Sequence, residues 1–249
     1  MVASQPHWVF KNLVWRGVCA WDGDCEHAIH VVGAARGLVL RNNRFEDFNA
    51  AIKVNGENGL WPDAGLLQFN ILSIHRARRT DKPVTPFDLV GASHWQVQDN
   101  HFERFIKHGG NGISFGVFLK GGGASGRIER NLVVCTTEAV AQKGQRVGIS
   151  LGGGGTDAGS CRRQPCDAEH SGGIVANNVV AHCNDAGVDV YRSPRSTVVH
   201  NTLVNTLGIL VRYAPAQARL AGQPDRRRRA PAPRWAGREP GRHDQLESG

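Results

Sequence analysis

A four-residue pattern built on asparagine recurs along the chain at intervals that only a stacked repeat accommodates. Asn12, Asn43, Asn70, Asn100, Asn131, Asn178 and Asn201 each follow an aliphatic side chain by three residues, from Val9 through Leu40, Leu67, Val97, Ile128 and Val175 to Val198. Two residues after each asparagine stands another large apolar side chain: Val14, Phe45, Leu72, Phe102, Val133, Val180 and Leu203. Successive asparagines lie 31, 27, 30, 31, 47 and 23 residues apart. Repeats of this size build solenoids, in which each unit buries its apolar face only against its neighbours.

The apolar runs inside each unit are short and β-branched, which excludes the long 3.6-residue stripes of helical repeats. A second short strand is expected in every coil, at 29–31, 52–54, 87–89, 117–120, 148–151, 188–191 and 209–212. Within it Ile52 and Val54, Val117 and Leu119, or Val188 and Val190 alternate with polar residues, the period-two signature of a strand. The asparagine between strands suits a tight bend, because Asn tolerates the left-handed backbone region. Stacked coil on coil, such amides can form a hydrogen-bonded ladder. The expectation is an all-β fold, a single-stranded parallel β-helix of about seven coils spanning 7–213, with residues 214–249 as a separate tail.

That tail is rich in Arg, Pro and Ala, with eight arginines against four acids, which accounts for half of the net charge of +8. It breaks the repeat and lacks the apolar content to fold alone, so it is expected to be disordered. With Trp235 its single aromatic, it gives no support to a specific nucleic-acid role. No stretch is long and apolar enough for a membrane span. No export signal precedes the first coil and no cap is visible before Val9, so the N-terminus is expected to be truncated.

Cys19 and Cys25, and Cys161 and Cys166, bracket short loops and are expected to form disulfides, which places the full-length protein outside the cytosol, secreted, periplasmic or at the cell surface. Cys135 and Cys183 end apolar runs and are expected as buried thiols.

Outward positions of the second strand give a polar column of His30, Lys53, Asp88, Lys120, Ser150, Asp189 and Arg212. Glycine-rich loops at 55–64, 121–125 and 152–173 follow those strands and are expected to wall a groove over the column. Lys53, Asp88, Asp189 and Arg212 are its candidate substrate-binding residues. Lys120, followed by three glycines, is the candidate general base, with Lys53, Arg192 and Arg212 as charges that favour its free amine. His170 or Arg192 is the candidate acid. The loop 152–173 accounts for the 47-residue spacing; Asp157 and Glu169 within it are candidate ligands for Ca²⁺, the one cofactor expected. Its four glycines lack the following Gly-Lys-Ser/Thr of a phosphate-binding loop.

The asparagine ladder, the three-strand coil and the grooved face resemble the right-handed parallel β-helix proteins of the pectate-lyase-like superfamily over about residues 7–213. The Lys120 strand is weakly similar to the chondroitinase B and alginate lyase family. That likeness implies a lysine base, an assisting arginine and a Ca²⁺-bound carboxylate, acting on uronate-containing polysaccharide by β-elimination. Only the lysine carries over; the position one coil later falls near Leu151. The expectations are therefore a polysaccharide lyase or a non-catalytic β-helix that binds acidic glycans or serves as a structural spacer.

Overall fold

The computed structural model describes residues 1–153 and 156–223. The chain winds through three long sheets in strict rotation, and all the interstrand pairing within them is parallel. Sheet 1 contains Val2–Ala3, Ile29–Val32, Ile52–Asn55, Phe87–Val90, Ile113–Lys120, Gln145–Leu151, Val188–Tyr191 and Ile209–Arg212. Sheet 2 runs from Val9–Lys11 to Ala218–Ala221, and sheet 3 from Val14–Arg16 to Thr202–Val204. The fold is a parallel β-helix. The last described coil continues past residue 213, since Ala218–Ala221 pairs with Ser196–Val199. Likewise Val2–Ala3 pairs with His30–Val31, so the solenoid exceeds the expected 7–213 at both ends. Residues 224–249 lie outside the described part.

Inward side chains stack in columns because each strand is in register with the next. Ile29, Ile52, Phe87, Val117, Ile149 and Val188 form one such column, all fully buried. Leu40, Leu67, Val97, Ile128, Val175 and Val198 form its counterpart on sheet 2. Each large aliphatic side chain removed from water stabilises the fold by about 1.5–3 kcal/mol.

The corner between sheets 2 and 3 holds the asparagines. Asn43, Asn70, Asn100, Asn131, Asn178 and Asn201 each donate from Nδ2 to a carbonyl of the coil before: Phe10, Leu40, Leu67, Val97, Ile128 and Val175. Each of the first five also donates to the Oδ1 of the next asparagine at 2.9–3.0 Å. That same Oδ1 accepts the preceding asparagine's backbone N–H. Gln223 ends the row: its Oε1 accepts from Asn201 N and its Nε2 donates to Val198 O.

Two details of this corner differ from the sequence reading. The strand register places Leu13, not Asn12, opposite Asn43, and Leu13 N donates to Asn43 Oδ1. The left-handed bend falls one residue before the ladder position, at Asn12, Asn42, Phe69, Asp99, Arg130, Asn177, His200 and Gly222, all with positive φ. Asparagine suits both positions, which is why Asn12 mimics a rung.

All six cysteines are paired. Cys19–Cys25 and Cys161–Cys166 close the two short loops. Cys135 and Cys183, expected as thiols, form a third disulfide. Val134 pairs with Ala181, so stacking brings two cysteines 48 residues apart to the same corner. No helix among the described residues is long and apolar enough to cross a membrane.

Candidate functional site

The outer face of sheet 1 is not the open polar floor that the sequence suggests. Its register aligns His30, Lys53, Asp88, Phe118, Ser150, Asp189 and Leu210. Lys120 lies two residues on, opposite Val90, and Arg212 lies opposite Tyr191. Asp88, Phe118, Ser150 and Asp189 are all buried. The charges there satisfy one another. Lys53 Nζ donates to Asp88 Oδ2 at 2.5 Å, and Arg212 donates through Nε and Nη2 to the two oxygens of Asp189 at 3.0 and 2.7 Å. Burial nonetheless raises the Asp189 pKa, outweighing the lowering by Arg212.

The candidate catalytic groups occupy different environments. The Lys120 amine sits 4.7 Å from the centroid of the Phe118 ring, itself stacked on Phe115. His170, on the return leg of the insert loop, is fully buried, and its Nε2 accepts from Gly126 N at 3.1 Å. Desolvation lowers its pKa to about 4, so it is neutral at physiological pH and unable to serve as an acid in a groove. Arg192 is exposed, in a left-handed turn beyond sheet 1.

The two carboxylates proposed for Ca²⁺ are committed elsewhere. Glu169, buried, accepts from Gly121 N, Thr156 N and Thr156 Oγ1 and so pins the loop. Asp157 caps a short turn, accepting from Gly159 N and Ser160 Oγ; the Ser160 hydroxyl and turn amides lower its pKa. Among the described residues no group of three or more His, Cys, Asp or Glu converges as metal ligands.

What the structure does assemble is a cleft at the corner between sheets 1 and 2. The insert loop leaves sheet 1 after Leu151 and folds back over earlier coils. Arg162 N donates to Gly121 O, and its guanidinium forms a two-pronged pair with Asp63 at 2.6 and 2.9 Å. Nη1 also donates to Ser93 Oγ and Gly91 O, and the guanidinium lies 5.6 Å from the Trp61 ring. Trp61 occupies the space a side chain at Gly91 would fill, which fixes glycine there. Trp95 is fully buried, with its indole N–H donating to Pro62 O. The Cys161–Cys166 disulfide closes the tip, and the return leg, His170–Ser171, pairs with Gly123–Ala124.

The space enclosed is about 490 Å³, lined in part by His94, Arg163, Asp167, Ser171 and Arg195. His94 and Arg195 occupy the left-handed position of this corner in coils three apart, with Ser125 and Gly172 between them. At about 4.8 Å per coil they stand roughly 14 Å apart along the solenoid. Arg163, Arg195 and His94 are exposed, and none of their side chains makes a hydrogen bond or ion pair with another described residue. The 47-residue spacing signals an insert, but nothing in the sequence gives the direction in which it folds, so these residues are not legible as a group.

No known protein family and no curated protein match the chain. Among solved structures, it is similar to PfbA, a surface adhesin of Streptococcus pneumoniae, at 12% identity and a TM-score of 0.47. The match covers 89% of this chain and 61% of the adhesin's, so the chain spans less than two thirds of that structure.

Proposed function

We propose that this chain is an extracellular β-helix module that binds an acidic glycan in the cleft between sheets 1 and 2. The observation that carries the reading is the contrast in charge use. The cations of sheet 1 that face carboxylates are spent on them, whereas Arg163 and Arg195 converge on a cleft with their donors uncommitted. A guanidinium fork matches a carboxylate or sulfate in a way an isolated ammonium does not. Ser171 and Asp167 supply partners for hydroxyl groups, and about 490 Å³ falls within the range of small-ligand sites. Three disulfides in a chain of this size favour an oxidising compartment, in keeping with a secreted or surface location.

A lyase acting by β-elimination is the competing reading, carried by the Lys120 amine, which lies over the Phe118 ring and makes no hydrogen bond or ion pair with another described residue. It requires an acid, which His170, buried and neutral, does not supply.

Calorimetric titration of the full chain with galacturonate, alginate and chondroitin oligosaccharides separates the two, with cellohexaose as the neutral control. The expected result is saturable binding of an acidic oligosaccharide alone, weakened at least tenfold by Arg163→Ala with Arg195→Ala, and no gain in ultraviolet absorbance. Unsaturated products that disappear with Lys120→Ala establish the lyase instead. Binding unaffected by the arginine pair refutes the cleft.

A further inference from the structure

The corner between sheets 2 and 3 carries one residue that its backbone does not favour. The left-handed position before each rung is filled by Asn12, Asn42, Asp99, Asn177, His200 and Gly222, types that enter this region readily. Arg130 is compensated by a two-pronged pair with Asp99, at 2.7 and 3.0 Å. Phe69 holds φ 57° and gains no such partner. Nor does it bury its ring: the residue is 46% exposed. A bulky side chain kept in a strained conformation and left in water is the mark of a position held for contact.

Its surroundings say what kind. The Arg41 guanidinium lies 5.4 Å from the centroid of the Phe69 ring. Phe69, Arg41, Lys11, Asn12 and Asn42 together enclose a hollow of about 410 Å³. Lys11 and Arg41 are exposed and pair with no carboxylate among the described residues. Asn42 Nδ2 donates to Asn12 Oδ1, so each carboxamide keeps polar capacity facing outward.

We infer that this hollow is a second sugar-binding site, in which the Phe69 ring supports the apolar face of a pyranose while Lys11 and Arg41 hold its acidic substituent. The asparagine amides pair with ring hydroxyls. The site stands apart from the insert cleft, at the opposite edge of sheet 2, and does not depend on that cleft binding anything. A single-stranded nucleic acid fits less well. It needs a succession of stacking rings and an unbroken basic track, whereas one ring is present and Asp99 and Glu129 follow along the corner.

The test uses Phe69→Asn, which installs the residue type already found at positions 42 and 177. Removing the strain predicts a thermal midpoint equal to or above the parent's, so a loss of binding cannot be ascribed to unfolding. The measurement is made in the Arg163→Ala, Arg195→Ala background, which silences the cleft, using galacturonate, alginate and chondroitin hexasaccharides as probes. The expected result is residual binding of an acidic hexasaccharide that falls at least fivefold with Phe69→Asn and likewise with Lys11→Ala plus Arg41→Ala. The side-chain amide resonances of Asn12 and Asn42 shift on addition of the probe to the Phe69 protein alone. Three results overturn the inference: no residual binding in that background, binding undiminished by Phe69→Asn, or displacement of the sugar by an equimolar thymidine oligonucleotide. A midpoint lowered by several degrees in Phe69→Asn also overturns it, because Phe69 is then a structural residue.

Discussion

The two corners that flank sheet 2 are made by the same coils and solve the same turn, yet they are held in opposite ways. Between sheets 2 and 3 one buried amide repeats in every coil from Asn43 to Asn201, and each is bonded to both neighbours. Between sheets 1 and 2 the turn residues differ from coil to coil. The insert that crosses them is fastened by Arg162, Glu169 and a disulfide rather than by repetition. The insert adds no distortion to the other corner: Asn131 and Asn178, 47 residues apart, bond at the same 3.0 Å as Asn100 and Asn131. A solenoid of this kind keeps its fold in one corner and can vary the other, because each corner's hydrogen bonds close within themselves.

The largest effect comes from breaking the invariant corner. Asn100→Ala leaves the buried Asn70 N–H without its acceptor and takes one donor each from Leu67 O and Asn131 Oδ1. At about 1–3 kcal/mol for the orphaned buried group and about 1 kcal/mol for each further bond, the loss is expected near 4 kcal/mol in urea unfolding. Arg162→Ala, by contrast, is expected to cost about 1–2 kcal/mol, because its pair with Asp63 is part exposed on both sides. Its effect falls on hydrogen exchange at 156–171 and leaves the ladder amides protected.

The disulfides sharpen the same comparison. Replacing Cys135 and Cys183 by Ala opens a loop of 48 residues and is expected to cost about 4 kcal/mol by chain entropy. The Cys161 and Cys166 pair closes only 5 and contributes about 2 kcal/mol. Equal losses in unfolding experiments contradict the view that the first disulfide staples coils while the second shapes a loop.

The insert corner also sets a pH limb. His170 titrates near 4 in the fold and near 6.5 when unfolded, so between those values the unfolded chain binds more protons and stability falls as pH falls. The full swing is about 3 kcal/mol. His27, whose pKa burial also lowers, adds to the limb with the same sign. Asp22, Glu46 and Asp99, whose arginine partners hold them below the ordinary carboxylate range, lose their contribution only at lower pH still. His170→Gln keeps an acceptor for Gly126 N and is expected to flatten most of the slope above pH 4.

What the sequence makes legible follows from where identity is demanded. A buried ladder rung accepts little but an amide, so the asparagines announce the coil and its period. Asn12 is read one residue out because the left-handed position beside the ladder also favours asparagine, while Leu13 holds the rung at the exposed first coil. Lys120 is misaligned for a related reason. Its strand, Ile113–Lys120, ends level with Val90, so Lys120 stands two residues past the register of Asp88 and Phe118 rather than in the polar column. The Cys135–Cys183 bond is recoverable in hindsight, as the two cysteines follow rungs 131 and 178 by four and five residues. Arg163, Arg195 and His94 are not recoverable, since their proximity depends on an insert folding back over earlier coils.

The central claim is that the variable corner, not the face of sheet 1, meets the ligand. Hydrogen–deuterium exchange read by mass spectrometry, with and without a saturating acidic hexasaccharide, tests it most directly. Binding in the cleft predicts slowed exchange at 162–171 and 192–195 with 113–120 unchanged; protection centred on 113–120 and 145–151 contradicts it and returns the site to Lys120.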